Sequence, residues 1–118
     1  MPYRQVTVGG LPAIALYNDT LELIAVPGAG ARITNLRRRA GREWLWRNPR
    51  LPFRLPADPV PDGPTAYVDE YDSGGWDECF PTIQPGRTAD GSVLRDPGDL
   101  WGAHWRNDPL ASAEATWR

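Results

Sequence analysis

Six prolines (Pro49, Pro52, Pro56, Pro59, Pro61 and Pro64) fall between Asn48 and Pro64. A proline has no N–H to give a sheet ladder, and inside a helix it clashes with the preceding turn. This stretch is therefore irregular whatever surrounds it. Loops of such length inside compact domains are either functional or disordered. They also divide the chain, leaving a periodic front part and a glycine-punctuated back part. With 13 prolines and 12 glycines in 118 residues, long uninterrupted helices are excluded, and the length fits one domain.

The front part alternates with period two. Val6 and Val8 flank Thr7 before Gly9-Gly10, and Ala13 to Tyr17 runs apolar up to Asn18-Asp19, a hairpin-type pair. Leu21, Leu23 and Ala25 point one way, with Glu22, Ile24 and Val26 on the other. After the break at Pro27 to Gly30, Ala31, Ile33, Asn35 and Arg37 share one face of a further strand, and Arg32, Thr34 and Leu36 the other. Glu43-Trp44-Leu45-Trp46 reads as the strand returning from an arginine-rich tip. The pattern predicts four or five short antiparallel strands in a meander. Further on, Ser73 to Ile83 reads as a strand-like piece with a glycine-rich start. Leu100 to Arg106 reads as a strand with Trp101, Ala103 and Trp105 on one side. Residues 111–118 alternate small or apolar with polar, a pattern that ordinarily pairs with a neighbour. We therefore expect the chain to be the front part of a larger sheet protein.

Charge narrows the function. The 13 basic residues are all arginine and face 15 acidic ones, for a net charge of −2. That balance argues against a nucleic-acid surface, and the lack of lysine excludes Schiff-base chemistry and lysine-dependent phosphate loops in this chain. The single cysteine, Cys79, cannot form an internal disulfide; it is expected as a small buried residue. No apolar run approaches the roughly 20 residues of a membrane span. The start lacks a signal-peptide core, so a cytoplasmic protein is expected.

The six tryptophans (44, 46, 76, 101, 105 and 117) are the unusual component. An indole can fill a core, stack on the C–H face of a sugar, or sit in a subunit interface. Trp44 and Trp46 share a strand face and read as core or interface. Trp76 and Trp101 lie beside glycine and acidic residues, which favours a pocket. In Gly74-Gly75-Trp76-Asp77-Glu78 the glycines allow close backbone approach, and on a strand Asp77 and Glu78 face opposite sides. These acids serve as solvated or arginine-paired surface groups, as acceptors for sugar hydroxyls, or as a catalytic carboxylate. His104, the only histidine, is either a hydrogen-bonded structural residue or a proton donor. No acid or histidine spacing resembles a metal loop, and no G-x-S-x-G signature occurs. Neither metal nor cofactor is expected.

Taken together, these segments resemble the start of an aldose 1-epimerase of the galactose mutarotase-like superfamily. Residues 21–33 are similar to its early strand, turn and "G-a-r-I" strand. Residues 75–83 resemble the G-W-D-E-x-F-P-T segment of one bacterial branch. Asp96-Pro97-Gly98-Asp99-Leu100-Trp101 followed by Trp105 is similar to that branch's D-H-G-E-x-W…W. The match spans roughly residues 20 to 107, the front of the family domain. The resemblance implies an all-β, antiparallel β-sandwich, incomplete here, with residues 1–118 as the N-terminal portion of one domain. It implies a small-molecule aldose as partner, and Trp76, Asp77, Glu78, Asp96, Asp99 and Trp101 as substrate-binding or cleft-supporting residues. It also implies interconversion of sugar anomers, by a base at the anomeric hydroxyl and an acid at the ring oxygen. The family's late carboxylate has no counterpart here, and Pro97 stands where the motif has histidine. No catalytic residue is therefore assigned, and the isolated chain is expected to be inactive. A non-catalytic carbohydrate-binding protein and an assembly module that pairs exposed sheet edges are the alternatives.

Overall fold

In the computed structural model, residues 2–58, 60 and 65–106 are described. The expected strand at 111–118, with Trp117, lies outside them. The fold is all-β and mostly strand, with four antiparallel strands in the order β1 (Tyr3–Val8), β2 (Leu11–Tyr17), β3 (Leu21–Val26) and β4 (Arg32–Arg38). Tight connections make this meander. Gly9-Gly10 joins β1 to β2, and Asn18 closes the next turn by accepting the Thr20 and Leu21 N–H groups on its Oδ1 at 2.8 and 2.7 Å. A small hairpin pairs β5 (Gly86–Arg87) with β6 (Val93–Leu94). Among the described residues no helix is long and apolar enough to cross a membrane.

The two faces of the sheet differ. One carries Val6 and Val8, Ala13 and Ala15, Ile24 and Val26, with Arg32 beside Val26, and it is covered. Its cover is the proline-rich segment: Phe53 packs on the core of Ala13, Val26 and Ala29, and Pro56 is buried. Charges also sit on this face of the sheet. Glu22 is buried and held by Arg37 at 2.6 Å and Arg4 at 2.8 Å. The Arg37 hydrogen bond, joined by the arginine charges, outweighs the opposing effect of burial and holds the Glu22 carboxyl below its ordinary value. The other face, with Ile14, Leu16, Leu23, Ala25, Ile33 and Leu36, is only half-buried.

Several expectations are corrected. The strict alternation of β4 fails, because the register slips between Ile24 and Ala25: Asn35 pairs with Ile24, but Ile33 pairs with Ala25. Thr34 is the extra residue of this bulge, buried, with its hydroxyl 3.3 Å from the Ile24 carbonyl. The returning strand at 43–46 shrinks to one bridge, Arg37 to Glu43. The Glu43 carboxylate takes the N–H groups of Leu36 (2.8 Å) and Leu45 (3.0 Å), while the Trp44 N–H is shared between that carboxylate and the Leu36 carbonyl, each at 3.0 Å. Trp44 and Trp46 are not core: they are 48% and 62% exposed, and the core of Ala13, Val26 and Ala29 is packed by Phe53 instead. Leu100–Gly102 forms a single 3-10 turn rather than a strand, because Trp101 turns inward to the described interior. Cys79 is exposed, two residues past the inward-turned Asp77.

Candidate functional site

The glycine-rich segment is wedged into the sheet. Ile33 and Trp76 exchange both backbone hydrogen bonds, at 3.0 and 2.9 Å, while Gly75 donates to the Trp46 carbonyl at 2.9 Å. Residues 74–76 thus lie between β4 on one side and 46–48 on the other. Only glycine fits there. A Cβ on Gly75 would stand 2.7 Å from the Ile33 carbonyl oxygen, and its φ of +94° lies in the region that side chains avoid.

This wedge sets the direction of the side chains beyond it. Trp76 pairs with Ile33 and stands on the uncovered face, 53% exposed. Asp77 turns to the opposite, covered side and meets Arg32 at 2.5 Å, with side chains only 6% and 3% accessible. Arg32 also donates to the Tyr71 carbonyl at 2.8 Å and the Ser73 hydroxyl at 2.6 Å. The second Asp77 oxygen accepts the Tyr67 hydroxyl, and the rings of Phe53 and Tyr67 flank the guanidinium. Burial, then the bond to Asp77, pushes the Tyr67 phenol far up, so it remains a donor. Asp77 is therefore consumed by the fold. Glu78 and Cys79, by contrast, are exposed.

The second motif lies against the first. The Asp99 N–H donates to the Phe80 carbonyl at 2.7 Å, and Gly98 packs on the Phe80 backbone so closely that no side chain fits. Asp96 is half-buried, and its charge reaches the Cys79 thiol. Partial burial first, then the charges of Asp77, Glu78 and Asp96, push that thiol above its ordinary value. Asp99 is exposed and paired with Arg95 at 2.9 Å. Trp101 is 1% exposed, with Tyr67 edge-on at 5.1 Å and Tyr71 at 5.2 Å. It backs the tyrosine that holds Asp77, and no face of its ring is open.

Of the six residues singled out from sequence, Trp76, Glu78 and Asp96 remain available to a ligand, Asp99 is available but paired, and Asp77 and Trp101 are structural. Sequence reasoning missed Arg32, Tyr67 and Ser73. One signal was present: an arginine near the start of an otherwise apolar strand needs a buried acid if it faces inward. His104 is exposed and lies elsewhere, at the rim of a hollow of about 570 Å³ lined by Val6, Pro12, Val26 and Leu55. Among the described residues no group of three His, Cys, Asp or Glu side chains is placed to hold a metal ion. No family model, curated protein or solved structure matches this chain.

Proposed function

We propose that this chain is a carbohydrate-binding part of an aldose 1-epimerase-like β-sandwich, and that alone it does not interconvert anomers. The observation that carries the reading is the meeting of the two motif segments through the Asp99–Phe80 hydrogen bond, with Trp76 and Glu78 left open beside them. The Trp76 indole offers a stacking face for the C–H side of a pyranose. Glu78 and Asp96 offer carboxylate acceptors for its hydroxyls. Asp77, locked by Arg32 and Tyr67, fixes the platform rather than touching sugar.

Anomer exchange needs an acid and a base on opposite sides of the ring. Asp77 is committed to Arg32, the histidine of the motif is replaced by Pro97, and His104 lies at a different hollow. These features favour binding without turnover. Titrating glucose and galactose against tryptophan emission tests it: a saturable change that Trp76→Ala weakens by roughly tenfold is expected. No response to any aldose overturns the binding reading. Polarimetry on freshly dissolved sugar tests the other half, where protein-dependent acceleration would overturn inactivity.

A further inference from the structure

Two neighbouring rows of the uncovered face each end in an exposed indole. The pairing register sets one row as Ile14, Ala25, Ile33 and Trp76, and the next as Leu16, Leu23 and Leu36. The second row is extended by Trp44. The Arg37–Glu43 bridge sets Trp44 opposite Leu36, and the Trp44 N–H donates to the Leu36 carbonyl at 3.0 Å. Residues directly opposed in antiparallel chains share a face, so Trp44 and Trp76 both stand beyond β4 on the side that the proline-rich segment does not cover. Both are exposed, while Leu36 and Ile33 beside them are half-buried. Neither belongs to the core, which Phe53 packs on the other face. Trp46 is exposed as well, but it opposes Gly75 and belongs to neither row.

We infer that Trp44 and Trp76 form one platform with two sugar subsites, so that the ligand is a linked chain of pyranoses rather than a single aldose. This rests on the carbohydrate reading above and extends it. Spacing favours a chain. The two rows lie two residues apart on β3, at Leu23 and Ala25, or about 7 Å. On β4 the extra residue of the bulge lengthens the step from Ile33 to Leu36 to on the order of 10 Å. A pyranose stacks by lying over an indole face, and two indoles set this far apart on one side of a sheet serve successive rings of a chain. The surface between them suits the C–H faces of such a chain, because the rows supply Ile33 and Leu36 there. Polar groups stand at the two ends. Glu78 and Asp96 belong to the Trp76 end. At the other end Arg38 is exposed, and its pairing with Leu21 puts it on the same face, one alternation beyond Leu36. Carboxylates accept hydrogen bonds and a guanidinium donates them, so a chain running from one end to the other finds acceptors first and a donor last.

Calorimetric titration of the whole chain with glucose and galactose, then with cellotetraose and maltotetraose, tests this. The two tetraoses separate a straight β-linked chain from a curved α-linked one. At least one of them is expected to bind roughly tenfold or more tightly than the single sugars. Trp44→Ala is expected to remove that gain and leave single-sugar affinity unchanged. Trp76→Ala is expected to weaken both, and Trp46→Ala to change neither. Far-UV circular dichroism checks that each variant folds. A second measurement needs no variant: in N-bromosuccinimide oxidation of the wild-type chain, read by peptide mass spectrometry, the bound tetraose is expected to protect Trp44 and Trp76, and glucose Trp76 alone. Equal affinity for tetraoses and single sugars, a gain that survives in folded Trp44→Ala, or a Trp44 left unprotected by a bound tetraose would each overturn the inference and leave the single-sugar reading standing. Tetraose binding without any response to glucose or galactose would support the platform and remove the free aldose as its ligand. No response to sugars of either length removes both.

Discussion

Arg32 and Asp77, 45 residues apart in the chain, form an ion pair at 2.5 Å with both side chains almost wholly removed from solvent. The pair ties the glycine wedge to β4 at the position where Trp76 is presented on the opposite face. The charges are well served: one guanidinium nitrogen serves Asp77, another serves Tyr71 and Ser73, and the second Asp77 oxygen takes the Tyr67 hydroxyl. These added hydrogen bonds are what allow two charges to stay buried.

Breaking one side of the pair is therefore expected to be costly. Arg32→Met leaves a buried, unpaired carboxylate and should cost about 3–5 kcal/mol in urea unfolding. Arg32→Lys keeps the charge but cannot reach three acceptors with one ammonium, so it should fall between that variant and wild type. The double variant Arg32→Met with Asp77→Leu should recover most of the loss. If the double loses as much as the two singles summed, the residues are not coupled.

The wedge depends equally on the absence of a side chain. Gly75→Ala would place a methyl 2.7 Å from the Ile33 oxygen in a backbone conformation unfavourable to alanine. A loss of about 2–4 kcal/mol is expected from the combined strain and clash. A glycine-to-alanine change within about 0.5 kcal/mol of wild type would mean that the segment is not seated between β4 and Trp46.

How far the sequence revealed this fold differs by segment. The meander from Tyr3 to Arg38 was legible because alternation and turn pairs are local signals: Val6, Gly9-Gly10 and Asn18 each act within a few residues. What failed depended on distant partners. Glu43 captures the Leu36 N–H from across the tip and the Trp44 and Leu45 N–H groups beside it, and nothing in Glu43-Trp44-Leu45-Trp46 announces that a carboxylate will take them. The bulge at Thr34 flips the phase of β4 without a glycine to mark it. In the site, the Asp77 side chain is buried and Glu78 is exposed, though neither residue lies in a strand. Which of them turns inward was decided by Arg32, on β4.

Acid should weaken the fold through Glu22 and Glu43. Glu43 is pushed up by burial, but the N–H groups of Leu36 and Leu45 and the Asn35 amide pull it below its ordinary value, as the arginines do for Glu22. The unfolded chain, with carboxyls near 4.5, binds protons more readily than the folded one as pH falls. Stability from these groups is complete above that value and is lost as pH drops through the depressed folded values. Urea midpoints should thus hold steady at neutral pH and fall in acid. Glu22→Gln should lower the neutral midpoint and flatten the acid branch; an unchanged acid branch in both Glu22→Gln and Glu43→Gln would remove these residues as its source.

Cys79 gives the last test, because exposure and reactivity point in opposite directions there. The thiol is accessible, but the thiolate is the species that attacks an alkylating agent, and partial burial with the charges of Asp77, Glu78 and Asp96 disfavours it. Iodoacetamide at pH 8 should therefore modify the folded chain more slowly than the urea-unfolded chain, by a few-fold for each neighbouring charge that acts at close range. Raising the pH should speed the folded reaction over a range displaced upward from that of the unfolded thiol. Glu78→Gln and Asp96→Asn should each accelerate it at pH 8. If neither does, the two motif segments do not bring their carboxylates to one place, and the shared sugar platform loses its acceptors.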